Sequence, residues 1–332
     1  MSANISIFVP HAGCKHKCSF CDQVSITEKT ALPHANDVIA AAEQAKSELK
    51  DPKNAEIAFF GGSFTAIDTD YRRELLEAAY KYINDGTFKG IRISTRPDYI
   101  DDDILNELKS YGVTSIELGA QSMDDEVLKM NLRGHTSHDV TKASSLIKEY
   151  GFELGLQMMT GLYGSSKKRD EYTAEKIAEL SPDTVRIYPT VVFEHTLLAK
   201  KFLSGEYQPP GLDETVPLCA KLLLFFYNKN IPVIKLGLHA GDGVAGSSLA
   251  GAYHPALREL CEGEIYLNAA LGIINSGSFN RDEKGKILLH VAPRCTSKMT
   301  GQNGRNLESL SNIGYACKII EDPDVKKYEV KG

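Results

Sequence analysis

The sequence predicts an α/β fold: a parallel sheet wrapped by helices as an incomplete or full barrel over residues 1–205, with a C-terminal extension packed on it over 206–332. Three observations predict it. Six strand-like apolar runs alternate with helical stretches, and parallel strands need crossover connections, so βα units in series read as a parallel sheet with helices outside. The unusual residues all follow a strand, and barrels of this kind build one shared site at the carboxyl ends of their strands. The alternation weakens after about residue 205.

The strand-like runs lie at 5–9, 56–60, 91–95, 115–118, 153–159 and 184–188, and the helical patterns at about 37–50, 69–84, 101–110, 137–149 and 167–180. Asp101 and Thr136 are suited to N-caps, and Gly86, Gly112 and Gly151 stand where helices should stop. The extension offers a helix over 213–228 with Pro217 in its first turn, Gly-rich text at 237–251, short helices at about 255–262 and 264–275, and strands at 287–291 and 315–320.

A chain of 332 residues can bury a full core. No apolar run approaches the length of a membrane span, and the N-terminal apolar stretch is short, lacks a basic flank and runs into a motif, so a cytoplasmic protein without a membrane partner is expected. The net charge of −6 disfavours broad electrostatic attachment to nucleic acid or to anionic membrane. The basic run Lys167-Lys168-Arg169 reads as the solvated start of a helix. Cys219, Cys261, Cys295 and Cys317 are scattered in a long chain, which suits buried thiols and not a disulfide framework.

The other three cysteines fall within eight residues, in His11-Ala12-Gly13-Cys14-Lys15-His16-Lys17-Cys18-Ser19-Phe20-Cys21. Three thiolates at C-x3-C-x2-C spacing on one loop can cap three irons of a [4Fe–4S] cubane and leave the fourth open. The competing reading is zinc, with His11 or His16 as fourth ligand. Zinc sites commonly use two paired sets, and no second C-x2-C exists here.

Cys14, Cys18, Phe20 and Cys21 resemble the C-x3-C-x-Φ-C signature (Φ aromatic) of the radical S-adenosylmethionine (SAM) superfamily. The resemblance implies a partial (β/α)6 radical SAM barrel with a small α+β C-terminal extension. It also implies a [4Fe–4S] cluster on Cys14, Cys18 and Cys21 that cleaves SAM to a 5′-deoxyadenosyl radical, with Phe20 near the adenine. Gly61-Gly62-Ser63, after the second strand, is similar to the family's GGE-type motif for the SAM amino group, with Ser63 replacing the acidic residue. Glycines there let backbone approach a ligand.

Ser94-Thr95-Arg96-Pro97-Asp98, Glu117 to Gln121 and Arg133-Gly134-His135-Thr136 narrow the resemblance to the branch of the Elongator catalytic subunit and the oxygen-independent coproporphyrinogen oxidases. In that branch a glutamine and an arginine twelve positions apart reach SAM, the spacing of Gln121 and Arg133. An amide bonds hydroxyls, and a guanidinium clamps a carboxylate. Leu156-Gln157-Met158-Met159-Thr160-Gly161-Leu162-Tyr163-Gly164 resembles the fifth strand over the adenosine, with Gln157 facing the ligand and Tyr163 replacing a proline. The implied SAM contacts are thus Phe20, Gly61, Gly62, Ser63, Ser94, Arg96, Glu117, Gln121, Arg133 and Gln157. Met158 and Met159 suit the core; Arg186 and Tyr188 suit either substrate or barrel rim. The default for His195 is solvent.

The extension, with Gly301-Gln302-Asn303-Gly304-Arg305-Asn306, resembles that of bacterial Elongator-like proteins; the acetyltransferase domain of the Elongator subunit itself is not expected. RNA modification, on a tRNA-like substrate, is the leading reading. The alternatives are radical chemistry on a small molecule or tetrapyrrole, and a non-catalytic cluster or haem carrier. The absence of Trp removes the haem-associated C-terminal motif of coproporphyrinogen oxidases. A one-electron donor, a ferredoxin or flavodoxin, is the implied partner. The oligomeric state is not readable.

Overall fold

The computed structural model of the chain describes residues 3–10, 13, 17–22, 31–238 and 246–332. In chain order the main strands are β1 (Asn4–Val9), β2 (Glu56–Gly61), β3 (Gly90–Thr95), β4 (Val113–Gln121), β5 (Glu153–Thr160) and β6 (Thr184–Pro189). After these come β7 (Val191–Phe193), β8 (Val233–Leu236) and β9 (Ser248–Gly251). Strands β1 to β6 lie side by side in sequence order and β8 follows β6, all pairs parallel. The sheet is a curled partial barrel, as the βα series predicts. Its seventh strand is drawn from Ile231-Pro232-Val233-Ile234-Lys235-Leu236, too short a run to stand out in the sequence.

Strand alternation sorts the side chains. One face buries Ile57, Phe59, Ile91, Ile93, Ile116, Leu118, Leu154, Leu156, Met158, Val185 and Ile187 in the main core with the helical Leu75, Leu76, Leu105, Leu108, Ile147 and Ile177. The intervening positions are polar: Glu56, Arg92, Ser94, Ser115, Glu117, Glu153, Gln157 and Arg186. They bond one another across the lumen and form its floor.

The helices are Ala35–Glu48, Thr69–Asn84, Asp102–Ser110, Ser137–Glu149 and Lys167–Glu179, close to expectation. Asp101 caps its helix by accepting from Ile104 N at 2.9 Å, and Thr136 with Asp139 makes a reciprocal capping box. A short helix, Asp125–Met130, had no periodic signal to announce it. Pro217 is the sixth residue of the helix Leu212–Asn228, beyond the first turn in which it was expected.

The two short helices expected at 255–275 are one helix, Leu257–Ser276. Gly263 lies inside it without stopping it, and its carbonyl accepts from Asn306 Nδ2 at 2.8 Å. This helix carries the small sheet of β10 (Ile287–Val291), β11 (Cys317–Glu321) and β12 (Val330–Lys331). The Gly-Gln-x-x-Arg-Asn text therefore has a packing role at Asn306, which is buried. Cys219, Cys261, Cys295 and Cys317 are free thiols, the first three buried.

Candidate cofactor site

The site is built where strands β1, β2 and β4 end. Cys14, His11 and His16 lie outside the described residues, while Cys18, Phe20 and Cys21 lie within them. Cys18 and Cys21 stand on a tight turn, with Cys21 N donating to the Cys18 carbonyl at 3.3 Å. Gly13 fits this loop against the segment after β2: a Cβ there would sit 2.7 Å from Ala66 C and Ile67 N. Gly61 (φ +116°) ends β2 opposite Val9, and Gly62 N donates to the Val9 carbonyl at 2.8 Å. Ser63 is buried beside them. Phe20 packs with Val192, Leu198, Ala199 and Tyr207.

Between the two cysteines, Ser19 is pinned from three sides. Its amide donates to the Asn131 carbonyl at 3.1 Å, its hydroxyl to Asn131 Oδ1 at 2.8 Å, and its carbonyl accepts from Leu198 N at 2.7 Å. Asn131, fully buried, also donates through Nδ2 to the Val127 and Tyr163 carbonyls at 2.8 and 2.9 Å. Sequence reasoning passed over Asn131. The one available signal was its place two residues before Arg133.

Arg133 is buried, and its Nη1 donates to Cys18 Sγ at 3.0 Å while Nη2 donates to the Gly119 carbonyl at 2.5 Å. Arg96, paired bidentately with Asp98 at 2.8 Å on each arm, donates to the Arg133 carbonyl and so fixes its backbone. Behind them His135 is pushed down to about 3, first by burial and then by the charges of Arg133 and Arg96, so it is neutral at ordinary pH. Gln121, at the end of β4, holds a left-handed backbone (φ +65°), a cost a non-glycine residue bears at few places.

Deeper in the lumen, Gln157 Nε2 donates to Glu117 at 3.0 Å and approaches Ser94 Oγ at 3.5 Å. Glu117 also pairs with Arg186 at 2.6 Å and with Arg92 at 3.3 Å. Arg92 reaches Glu56 at 2.7 Å and Glu153 at 3.4 Å. Burial opposes the charge on Arg186, and the Glu117 carboxylate more than offsets that. Arg186 also lies over the Phe60 ring at 5.1 Å. Glu117 is thus engaged on both oxygens by the barrel's own cations and amide, and Arg186 belongs to the lumen floor.

The fold therefore gathers Cys18, Phe20, Cys21, Gly61, Gly62, Ser63, Gln121 and Arg133 at the strand ends, with Arg96 behind Arg133. Ser94, Glu117 and Gln157 form a second group below. Met158 is in the core, Met159 faces the lumen side of β5, and His195 (φ +62°) is exposed. Among the described residues no three His, Cys, Asp or Glu side chains are placed to hold a metal ion. Two polar atoms test the fit to a polar cofactor. Gln121 Oε1 and Arg133 Nε are buried with no hydrogen-bond partner among the described residues. An acceptor and a cationic donor left unsatisfied beside a cysteine pair suit a ligand with hydroxyl and carboxylate groups.

The family model of the radical SAM superfamily matches residues 8–177, more than half of the chain, and that of the radical SAM C-terminal domain matches 182–266. The chain belongs to the radical SAM superfamily. Radical SAM enzymes use a [4Fe–4S] cluster and SAM, and these are the cofactors of this chain's class.

Among curated proteins, the chain is 26% identical to a tRNA uridine(34) acetyltransferase of Dehalococcoides mccartyi over 62% of this chain and 52% of that one. It is 31% identical to the Methanocaldococcus jannaschii protein of the same name and 32% to human Elongator complex protein 3, each over 54% of this chain and 37% of the relative. The chain thus spans about half or less of these relatives. Among solved structures, an archaeal Methanocaldococcus infernus Elp3 with an N-terminal deletion superposes with a TM-score of 0.62 at 22% identity, covering 87% of this chain and 66% of that one. That likeness bears out the partial barrel with its small C-terminal unit.

Proposed function

We propose that this radical SAM enzyme holds its cluster on Cys14, Cys18 and Cys21 and modifies RNA, a tRNA-like substrate. The observation that carries the cofactor assignment is the pair of unsatisfied buried atoms, Gln121 Oε1 and Arg133 Nε, beside Cys18. When bound, the reduced cluster supplies the electron that splits SAM into methionine and a 5′-deoxyadenosyl radical. The electron comes from a ferredoxin or flavodoxin.

The chain's own residues bind and orient. Arg133 presents a guanidinium to the SAM carboxylate, Gln121 accepts from ribose hydroxyls, and Gly61, Gly62 and Ser63 offer backbone groups to the amino group. Phe20 lies along the adenine. Ser94 and Gln157 face SAM from the lumen, with Arg96 and Glu117 positioning Arg133 and Gln157. The RNA part of the reading is supported by relatives named for tRNA uridine modification. The division into a core over 1–205 and an extension over 206–332 belongs to the same reading. So does a cytoplasmic location, in keeping with the lack, among the described residues, of any helix long and apolar enough to cross a membrane.

The deciding experiment is 5′-deoxyadenosine formation by the anaerobically reconstituted protein with SAM and dithionite, with and without bulk tRNA. Product that rises with tRNA supports the full reading. Product indifferent to tRNA keeps the SAM chemistry and moves the substrate to small molecules. A loaded cluster with no product overturns the catalytic assignment in favour of a carrier.

A further inference from the structure

Away from the barrel mouth, where β8 begins, three cations converge on one buried carboxylate. Glu262 lies 3.4 Å from Arg258 Nε, 2.7 Å from Lys298 Nζ and 3.7 Å from Lys327 Nζ, and accepts from the Tyr328 hydroxyl at 2.8 Å. Among the described residues no other carboxylate is within ion-pair distance of these three, so two positive charges remain over. The cations are only partly exposed, at 32%, 29% and 40% of their side chains. Repulsion there is costly in a partly desolvated place.

Further features lie at the same place. A cavity of about 290 Å³ has Arg258, Lys327 and Asn230 in an otherwise apolar and aromatic lining, and Lys298 stands outside that lining on the other oxygen of Glu262. Tyr328 is held at φ +67°, a left-handed backbone rare for an aromatic residue, and this places Lys327 and Tyr328 over the cavity. Lys327 is pushed below the usual ammonium range, by burial first, with Glu262 opposing and Lys298 and Arg258 adding to the shift. The Tyr227 ring, 39% exposed and edge-on to Tyr328 at 4.9 Å, gives the cavity an aromatic wall.

We propose that Arg258 and Lys327 form a phosphate-binding subsite in this cavity, separate from the SAM site, with Lys298 adding positive charge from the other oxygen of Glu262. A phosphate dianion would balance both excess charges and a diester one of them, and either would accept from the Arg258 guanidinium and the Lys327 ammonium. The inference stands on this geometry and does not depend on the radical chemistry.

The test uses the full reconstituted chain and a Lys298→Gln/Lys327→Gln variant, which leaves Arg258 and Tyr328 on Glu262 and so keeps that carboxylate paired. Inorganic phosphate at ten times its Kd, against chloride at matched ionic strength, should raise the wild-type unfolding midpoint by roughly 2 °C and leave the variant unmoved. SAM cleavage by the variant should stay at the wild-type rate, which separates this result from any failure of the cofactor reading. Anisotropy of a labelled single-stranded oligoribonucleotide across salt then assigns the source of the phosphate. Loss of this one phosphate contact reduces the magnitude of the slope of log K against log salt by about 0.7, and that drop places an RNA phosphate in the subsite. An unchanged slope with the phosphate response intact assigns a free phosphate. Equal phosphate responses and equal salt slopes in both proteins overturn the proposal. If the double variant is unstable, Arg258→Gln, which keeps both lysines on Glu262, is measured the same way.

Discussion

The guanidinium of Arg133 lies 3.0 Å from the sulfur of Cys18, although 115 residues separate them. Its second arm is tied to the Gly119 carbonyl, so the fork is held from the strand-four side and reaches the cysteine loop from above. Position and charge together make Arg133 the residue whose replacement is most informative.

Arg133→Lys keeps a positive charge and loses the fork, so one ammonium cannot serve both Gly119 and the cofactor side. Cluster assembly should survive, measured as iron per chain, while the rate of 5′-deoxyadenosine formation drops roughly 100-fold. Wild-type rates with wild-type iron would remove Arg133 from the cofactor site.

Asn131→Ala should loosen the cysteine turn. It strips the partner from the Ser19 hydroxyl and from the Tyr163 carbonyl, both held in a dry interior, while the Val127 carbonyl keeps the backbone N–H of residue 131. The cost is about 2–3 kcal/mol, seen as a midpoint lowered by roughly 3–4 °C. A structural residue remote from the cluster would stop there. Because Asn131 grips the residue between Cys18 and Phe20, bleaching of the cluster by a chelator should also quicken several-fold. An unchanged bleaching rate would confine Asn131 to stability.

Glu117→Gln leaves Arg92 and Arg186 facing each other across the lumen without the carboxylate between them. Breaking such a buried arrangement costs about 3–5 kcal/mol. Gly155→Ala should act at the same place, since a Cβ there would lie 2.8 Å from Glu117 Cγ. Thermal unfolding with and without SAM checks both, and loss of stability in each is the expected outcome.

Asp170 gives a pH signature. It is buried in the first turn of the helix Lys167–Glu179, accepting from Gly161 N, just past β5, at 2.9 Å and from the Ser165 hydroxyl at 2.5 Å. Burial raises it from 3.8 to about 6, with the hydrogen bonds from Ser165 and Gly161 opposing. A carboxyl raised in the folded state binds its proton more tightly there than in the unfolded chain. Its contribution is therefore most favourable below about pH 4 and is lost as pH rises to about 6, by on the order of 3 kcal/mol. The stability difference between wild type and Asp170→Asn, followed from pH 4 to 7, should shift in favour of the variant by that order. A flat difference would mean that Asp170 stays ionised throughout.

Much of the candidate site could be proposed from the sequence because its residues are local or regularly spaced. The cysteine triplet, the Gly61-Gly62 pair after a strand, and Gln121 with Arg133 each fall within a dozen or so residues, and the βα series told where they would meet. Glu117 and Arg96 could be named as candidates from the sequence, but not their contacts. Their ties to Arg186 and to the Arg133 carbonyl exist only once distant segments are brought together. Asn131 was missed for the same reason, since a single buried asparagine breaks no pattern. The strand at 233–236 was missed because four residues carry no period of their own and pair only with what β6 presents.

By itself the sequence determined the chemistry class and the alternation that makes a curled parallel sheet, because thiol spacing and hydrophobic period are properties of neighbouring residues. Tertiary structure decided which polar side chains are spent on the lumen floor and which are left unsatisfied beside Cys18. It also decided where three cations share one carboxylate. Burial and electrostatic compensation depend on every group within a few ångströms, and in this fold those groups come from far apart in the chain.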